Sequence, residues 1–96
     1  MPTLEEISQM SRSEQVFLNV ASYVSIYPAS IIDRVHVDLK ENTYCIRIFY
    51  VNTKSDKQFI HTFNFYRLAE SREAEKFIQL LKENFGSISV TGDPII

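Results

Sequence analysis

The stretch IIDRVHVDLKENTYCIRIFYVNTKSDKQFIHTFNFY, residues 31–66, decides the fold because two polar turns divide it into three alternating segments. In the first segment Val35, Val37 and Leu39 share one parity, which is the pattern of a half-buried strand. The connecting sequences KENT and NTKSDK are rich in residues that favour turns. The stretch therefore predicts a meander of three antiparallel strands.

The lengths of the two turns set the register of these strands. Directly opposed residues of an antiparallel pair lie on the same face of the sheet. Loops over residues 41–42 and 53–56 collect the apolar positions on one face, whereas a shift of one residue at either turn would break the set. The predicted inner face consists of Val35, Val37, Leu39, Tyr44, Ile46, Ile48, Tyr50, Phe59, Phe63 and Phe65.

The segment before the meander has two competing interpretations. SRSEQVFLNVASYVSIY, residues 11–27, starts with a capping box of Ser11 and Glu14 and continues with apolar residues at helical spacing. The segment is also β-branched and partly alternating, as strands are. Its length favours a helix, and Pro28 ends that helix because the residue before a proline avoids the α region.

The segment after the meander, SREAEKFIQLLKENFG at 71–86, predicts a helix that Ser71 caps and Gly86 ends. SISV at 87–90 alternates and predicts a short final strand. TLEEISQM at 3–10 carries another capping box and predicts a further N-terminal helix. The chain is therefore expected to be one α+β domain over residues 1–96, a two-layer sandwich in the order α-β-β-β-α-β with a helix or helix pair first.

Composition limits the class of protein. The chain has 96 residues, a formal net charge of −2 and a single cysteine. A dedicated nucleic-acid binder is usually basic, and one cysteine excludes a disulfide within the chain. No apolar run approaches the roughly 20 residues of a membrane span, and the acidic N-terminus lacks the plan of a signal peptide. We expect a cytoplasmic protein, or one of the host cytoplasm if it is viral.

The opposite parity of the three strands predicts a mixed outer face. This face carries three potential cations near its centre and a scatter of apolar side chains. It is either a solvated sheet face, whose cations pair with carboxylates such as Asp33 and Asp38, or a surface that contacts a partner. Apolar groups that cluster at a surface usually mark an interface. The predicted partner-binding residues are Arg34, His36, Arg47, Phe49, Ile60, Thr62 and Tyr66.

The sequence offers no arrangement typical of catalysis or cofactor binding. Cys45, His36 and Asp38 share one face of the predicted sheet, but His61 lies on the other, which leaves too few ligands for a typical zinc site. The two glycines of the chain form no phosphate-binding loop. We expect no enzyme activity, no cofactor and no metal.

A non-catalytic protein–protein interaction or regulatory role, exerted as a homodimer, fits these observations best. One alternative is nucleic-acid or polyanion binding through Arg34, His36 and Arg47. The order of elements is similar to that of double-stranded-RNA-binding domains, but those place basic residues at the start of the last helix, where this chain has SREAEK. Another alternative is a small-ligand pocket between sheet and helices, with His61 and the hydroxyls of Tyr44 and Tyr50 as its polar groups.

Overall fold

A computed structural model describes residues 11–86 and 88–95 of the chain. The predicted order of elements and the α+β architecture are confirmed, and the segment 11–27 forms a helix, from Arg12 to Ile26, rather than a strand. The candidate helix at 3–10 lies outside the described residues. The elements are α1 (Arg12–Ile26), β1 (Ser30–Lys40), β2 (Thr43–Asn52), β3 (Gln58–Tyr66), α2 (Arg67–Phe85) and β4 (Ser89–Gly92).

The four strands form one sheet in the order β3-β2-β1-β4. The predicted register of the meander is confirmed, with Val37 opposite Ile46 and Ile46 opposite Phe63. A bulge at Asp33 shifts the pairing at the start of β1. The final strand lies two residues later than predicted and pairs in parallel with β1, where a Cβ atom on Gly92 would overlap the carbonyl oxygen of Val37.

Both helices pack on the inner face of the sheet, and most of the predicted inner residues are buried there. Leu39 and Phe63 are partly buried at the margin of this core. Phe59 was predicted to be a core residue, and this is wrong because its side chain is 44% exposed. It lies at the start of an edge strand, and the centroid of its ring is 6.4 Å from that of Tyr23 on α1. The buried core residues are Val16, Val20, Val35, Val37, Tyr44, Ile46, Ile48, Tyr50, Phe65, Ala74, Phe77, Ile78 and Leu81.

The start of α1 is capped from another helix. The predicted capping box is wrong, because the Ser11 hydroxyl bonds the Ser13 hydroxyl at 3.0 Å and Glu14 forms an ion pair with Lys76. The Ser13 amide instead donates to Glu73 Oε2 at 2.8 Å. A carboxylate that accepts from a free amide of the first turn also compensates the helix dipole. This bond therefore gives a first-turn amide of α1 its hydrogen-bond acceptor and links α1 to α2.

The Glu73 cap should make the free energy of unfolding depend on pH. The hydrogen bonds from Ser13 hold the pKa of Glu73 below its ordinary value of 4.5. A lowered folded-state pKa stabilises the protein above the unfolded value, and this contribution is lost as pH falls through the folded-state pKa. We expect Glu73→Gln to lower the free energy of unfolding by about 1 kcal/mol at neutral pH, the usual worth of a cap, and by less in acid. Urea unfolding of the wild type and the variant, from neutral pH down to acidic pH, measures this difference in the free energy of unfolding.

The matched control for that experiment is Glu75→Gln, an exposed carboxylate in the same helix. Its substitution should leave the free energy of unfolding close to that of the wild type. Equal losses in the two variants at neutral pH would contradict a capping role for Glu73.

The start of α2 also differs from the prediction. Ser71 is not the cap, since α2 begins four residues earlier, at Arg67, with Tyr66 in the capping position. The backbone departs from helical geometry at Glu70 (φ −130°, ψ 18°), directly before Ser71. The predicted end is confirmed, because Gly86 follows the last helical residue with a φ of +69°, a conformation that favours glycine. Within the described residues, neither helix has the length and apolarity required to cross a membrane.

Candidate functional site

The structure brings most of the predicted partner-binding residues together on the outer face of the sheet, which the helices leave open. Arg34 lies opposite Phe49, and Phe49 lies opposite Ile60. In the next row His36 is opposite Arg47, which is opposite Thr62. Tyr66 is on the same face but four residues beyond Thr62, about 13 Å along the strand. We refer to these seven residues as the outer-face cluster.

The cations of the outer-face cluster are engaged by neighbours in the sheet. Arg47 forms an ion pair with Asp38 at 3.4 Å, and Lys40 approaches the same carboxylate at 3.7 Å. His36 Nδ1 lies 2.9 Å from the hydroxyl of Thr91 on β4. The Arg34 guanidinium lies over the Phe49 ring at 4.3 Å, within cation–π range. Arg47 and Lys40 thereby share the carboxylate of Asp38, and Arg34 is stacked on an aromatic ring.

Several large apolar side chains are exposed on the outer face, beside exposed polar side chains such as Arg34 and Gln58. Ile60 is 55% exposed and Tyr66 is 66% exposed. Ile31, which is 53% exposed, lies on the same face through its pairing with Val51. Simple alternation in the sequence does not place Ile31 on this face, because the bulge at Asp33 reverses the parity of β1 before Arg34. Ile31, Ile60 and Tyr66 are therefore large apolar side chains that this face exposes.

Cys45 lies on the outer face, where its thiol donates to Asn64 Oδ1 at 3.0 Å. It is half-buried beside its cross-strand neighbours. In the ranges 11–86 and 88–95, no three His, Cys, Asp or Glu side chains come together as a metal site would require. The arrangement around Cys45 is that of a packed thiol.

His61 lies on the inner face among aromatic rings at the β3 margin. Its Nδ1 is 3.1 Å from the Tyr50 hydroxyl. Its ring meets that of Tyr23 edge-on, with 4.7 Å between the ring centroids. Burial lowers the pKa of His61 below 6.5, so the imidazole is neutral at neutral pH. Burial also raises the pKa of Tyr50. These two groups are satisfied by each other, which accounts for a histidine in an apolar row.

The outer edge of β3 is the second feature of this surface, because β3 has a strand on one side only. The Arg67 amide donates to Asn42 O and the Asn52 amide donates to Lys57 O, each at 2.8 Å. Since bonded pairs alternate along an antiparallel ladder, odd-numbered residues of β3 direct their main-chain groups at β2. The amides and carbonyls of Gln58, Ile60 and Thr62 therefore point away from the sheet.

The far end of this edge is occupied by side chains. Arg12 donates to the Asn64 carbonyl at 2.8 Å, which independently shows that the even-numbered carbonyls point outward. The other Arg12 nitrogen forms an ion pair with Glu70 Oε2 at 2.7 Å. The second Glu70 oxygen accepts from the Tyr66 amide at 2.9 Å. We refer to the remaining run of outward groups, from Gln58 to Thr62, as the open edge.

β3 itself lacks the residues and the bulges that commonly protect an edge strand. From Gln58 to Tyr66 the strand contains no proline, glycine, lysine, arginine or carboxylate, and its pairing with β2 runs without a bulge. Natural edge strands are commonly blunted by such residues or by bulges. A shallow groove lined by Asn19 and residues 60–63 runs beside it. Alternation in the sequence places the side chains of Ile60 and Thr62 on the outer face, whereas the outward direction of their main-chain groups follows from the hydrogen bonds of the structure.

Comparison with known proteins identifies no relative, since no family model, curated protein or solved structure gives a significant match to the chain.

Proposed function

We propose that this chain is a small, non-catalytic interaction protein of the cytoplasm that acts as a homodimer and presents the outer face of its sheet to a protein partner. The observation that carries this proposal is the position of both helices on one side of the sheet. The opposite side is left with exposed Ile31, Ile60 and Tyr66. Burial of such residues is the main source of free energy in protein association.

The distribution of charge supports a protein partner over a polyanion. A phosphate-binding surface needs cations that are free to contact the phosphates. Here Asp38 lies within ion-pair distance of Arg47 and Lys40. Arg34, stacked on Phe49, resembles the arginines that are enriched in protein interfaces.

The chemistry of the inner face supports protein–protein interaction over the binding of a small ligand between sheet and helices. The Tyr50 hydroxyl and the His61 imidazole, two of the groups that would contact a ligand, bond each other at 3.1 Å. Tyr44 has no exposed surface. A ligand would have to separate the first pair and reach the third residue through the core.

Light scattering at a series of chain concentrations tests the proposed homodimer. The expected result is a mass that rises with concentration from 11.2 kDa toward twice that value. We expect a weak association that reverses on dilution, as is typical of interfaces below about 1,200 Å². A mass that stays at one chain over all accessible concentrations would contradict the homodimer.

A further inference from the structure

We propose that the homodimer forms by antiparallel pairing of the open edges of two copies of this chain, in the register that places Ile60 opposite Ile60 of the second copy. The inference rests on the proposed homodimer and specifies its contact. It would join the two four-stranded sheets into one sheet of eight strands.

The main-chain groups of the open edge are self-complementary. Their outward amides and carbonyls belong to three alternate residues, Gln58, Ile60 and Thr62, with Ile60 at the centre. A twofold axis through the Ile60 pair sets Gln58 of each copy opposite Thr62 of the other. In that register every outward donor of the run meets an outward acceptor, as an antiparallel ladder requires.

The ends of the open edge determine this register. On one side the Asn64 carbonyl and the Tyr66 amide are already bonded to Arg12 and Glu70. On the other side the chain turns back to β2, with the Asn52 amide bonded to the Lys57 carbonyl. A register centred two residues later, on Thr62, would place Asn64 in the ladder. The Asn64 carbonyl would then lose the charged Arg12 donor and accept from a main-chain amide of the second copy instead. The Ile60-centred register uses the outward main-chain groups of Gln58, Ile60 and Thr62, which have no partner in β2.

The side chains also favour a second copy as the occupant. Opposed residues share a face, so the two Ile60 side chains meet on the outer face. Phe59 of each copy then lies opposite His61 of the other on the inner face, which covers a ring that is 44% exposed. The open edge carries no charged side chain that would select a partner of opposite sign.

The pairing would also extend the proposed interaction surface. A twofold axis normal to the sheet keeps both outer faces on the same side. The outer-face cluster of each copy then becomes half of one continuous surface, with the two Ile60 side chains at its centre. A partner that contacts both halves would bind more tightly than one that contacts a single copy.

Disulfide cross-linking tests the register directly. In a hydrogen-bonded antiparallel pair the Cα atoms lie about 5.5 Å apart, within the range of about 4.4–6.8 Å that a disulfide spans. Two Thr62 residues would be offset by four positions, about 13 Å along the strand. We expect Ile60→Cys to shift from monomer to dimer mass on mild oxidation, and Thr62→Cys to remain at monomer mass. Both variants also carry Cys45→Ser, so that the introduced cysteine is the single thiol. The serine hydroxyl replaces the thiol that donates to Asn64 Oδ1.

Each outcome bears on a different part of the proposal. Cross-linking of Thr62→Cys that equals or exceeds that of Ile60→Cys would overturn the register. A dimer by light scattering in which neither variant cross-links would overturn edge pairing and leave the homodimer standing. A strictly monomeric wild type would overturn both. Circular dichroism of the reduced variants verifies that each one is folded.

Discussion

An Ile60→Asp substitution is expected to convert the homodimer into monomers. In the proposed register the substitution removes the apolar contact at the twofold axis and sets two carboxylates opposite each other, where like charges destabilise a sheet. Losing the burial of two isoleucines weakens association by about 3 kcal/mol, or roughly a hundredfold in dissociation constant. Light scattering at a concentration that gives wild-type dimers measures the loss. The chain itself should stay folded, because Ile60 is 55% exposed.

Ile31→Asp is the matched control for that substitution. Ile31 has the same side chain, lies on the same outer face and is 53% exposed, but it belongs to the interior strand β1. Edge pairing predicts that this variant dimerises as the wild type does. If both aspartate variants dissociate to the same extent, the copies associate through the outer face rather than through the open edge.

A Leu81→Ala substitution is expected to cause the largest loss of folding stability among these variants. Leu81 has no exposed surface and packs in the core between α2 and the sheet. Leucine-to-alanine changes at such sites cost about 3 kcal/mol or more, since they remove buried methyl groups and leave a cavity. For a domain of this size that lowers the melting temperature by roughly 12–24 °C. Thermal and urea unfolding at a concentration that keeps the chain monomeric measure the change.

Leu68→Ala provides the control, because it makes the same chemical change in the same helix at a side chain that is 88% exposed. Surface substitutions of this kind usually alter stability by less than about 0.5 kcal/mol. Comparable losses in the two variants would contradict the assignment of Leu81 to the core and of Leu68 to the surface.

The register of the meander could be predicted from the sequence because two constraints agreed. The lengths of the turns fixed the parity, and only one parity placed Ile46 and Ile48 beside the phenylalanines of β3. The pairing of Arg34, Phe49 and Ile60 on the outer face followed from the same parity. Most of the candidate surface can therefore be predicted from the sequence.

The features that the sequence did not predict depend on contacts between distant segments. Glu73 caps α1 from sixty residues away, and no local motif contains that information. Phe59 has the same parity as the core residues, yet its exposure depends on how far α1 extends over the edge of the sheet. The parallel position of β4 beside β1 depends on the path of the chain after α2, which periodicity does not describe.

Pairing of the open edge can be measured most directly by the hydrogen exchange of single amides at increasing chain concentration. The amides of Gln58, Ile60 and Thr62 point outward in one chain, whereas those of His61 and Phe63 are directed at β2. Edge pairing predicts that exchange at the first three slows as the concentration rises, while the two inward amides are already protected when the chain is dilute. Fast exchange at Gln58, Ile60 and Thr62 that does not change with concentration would contradict it.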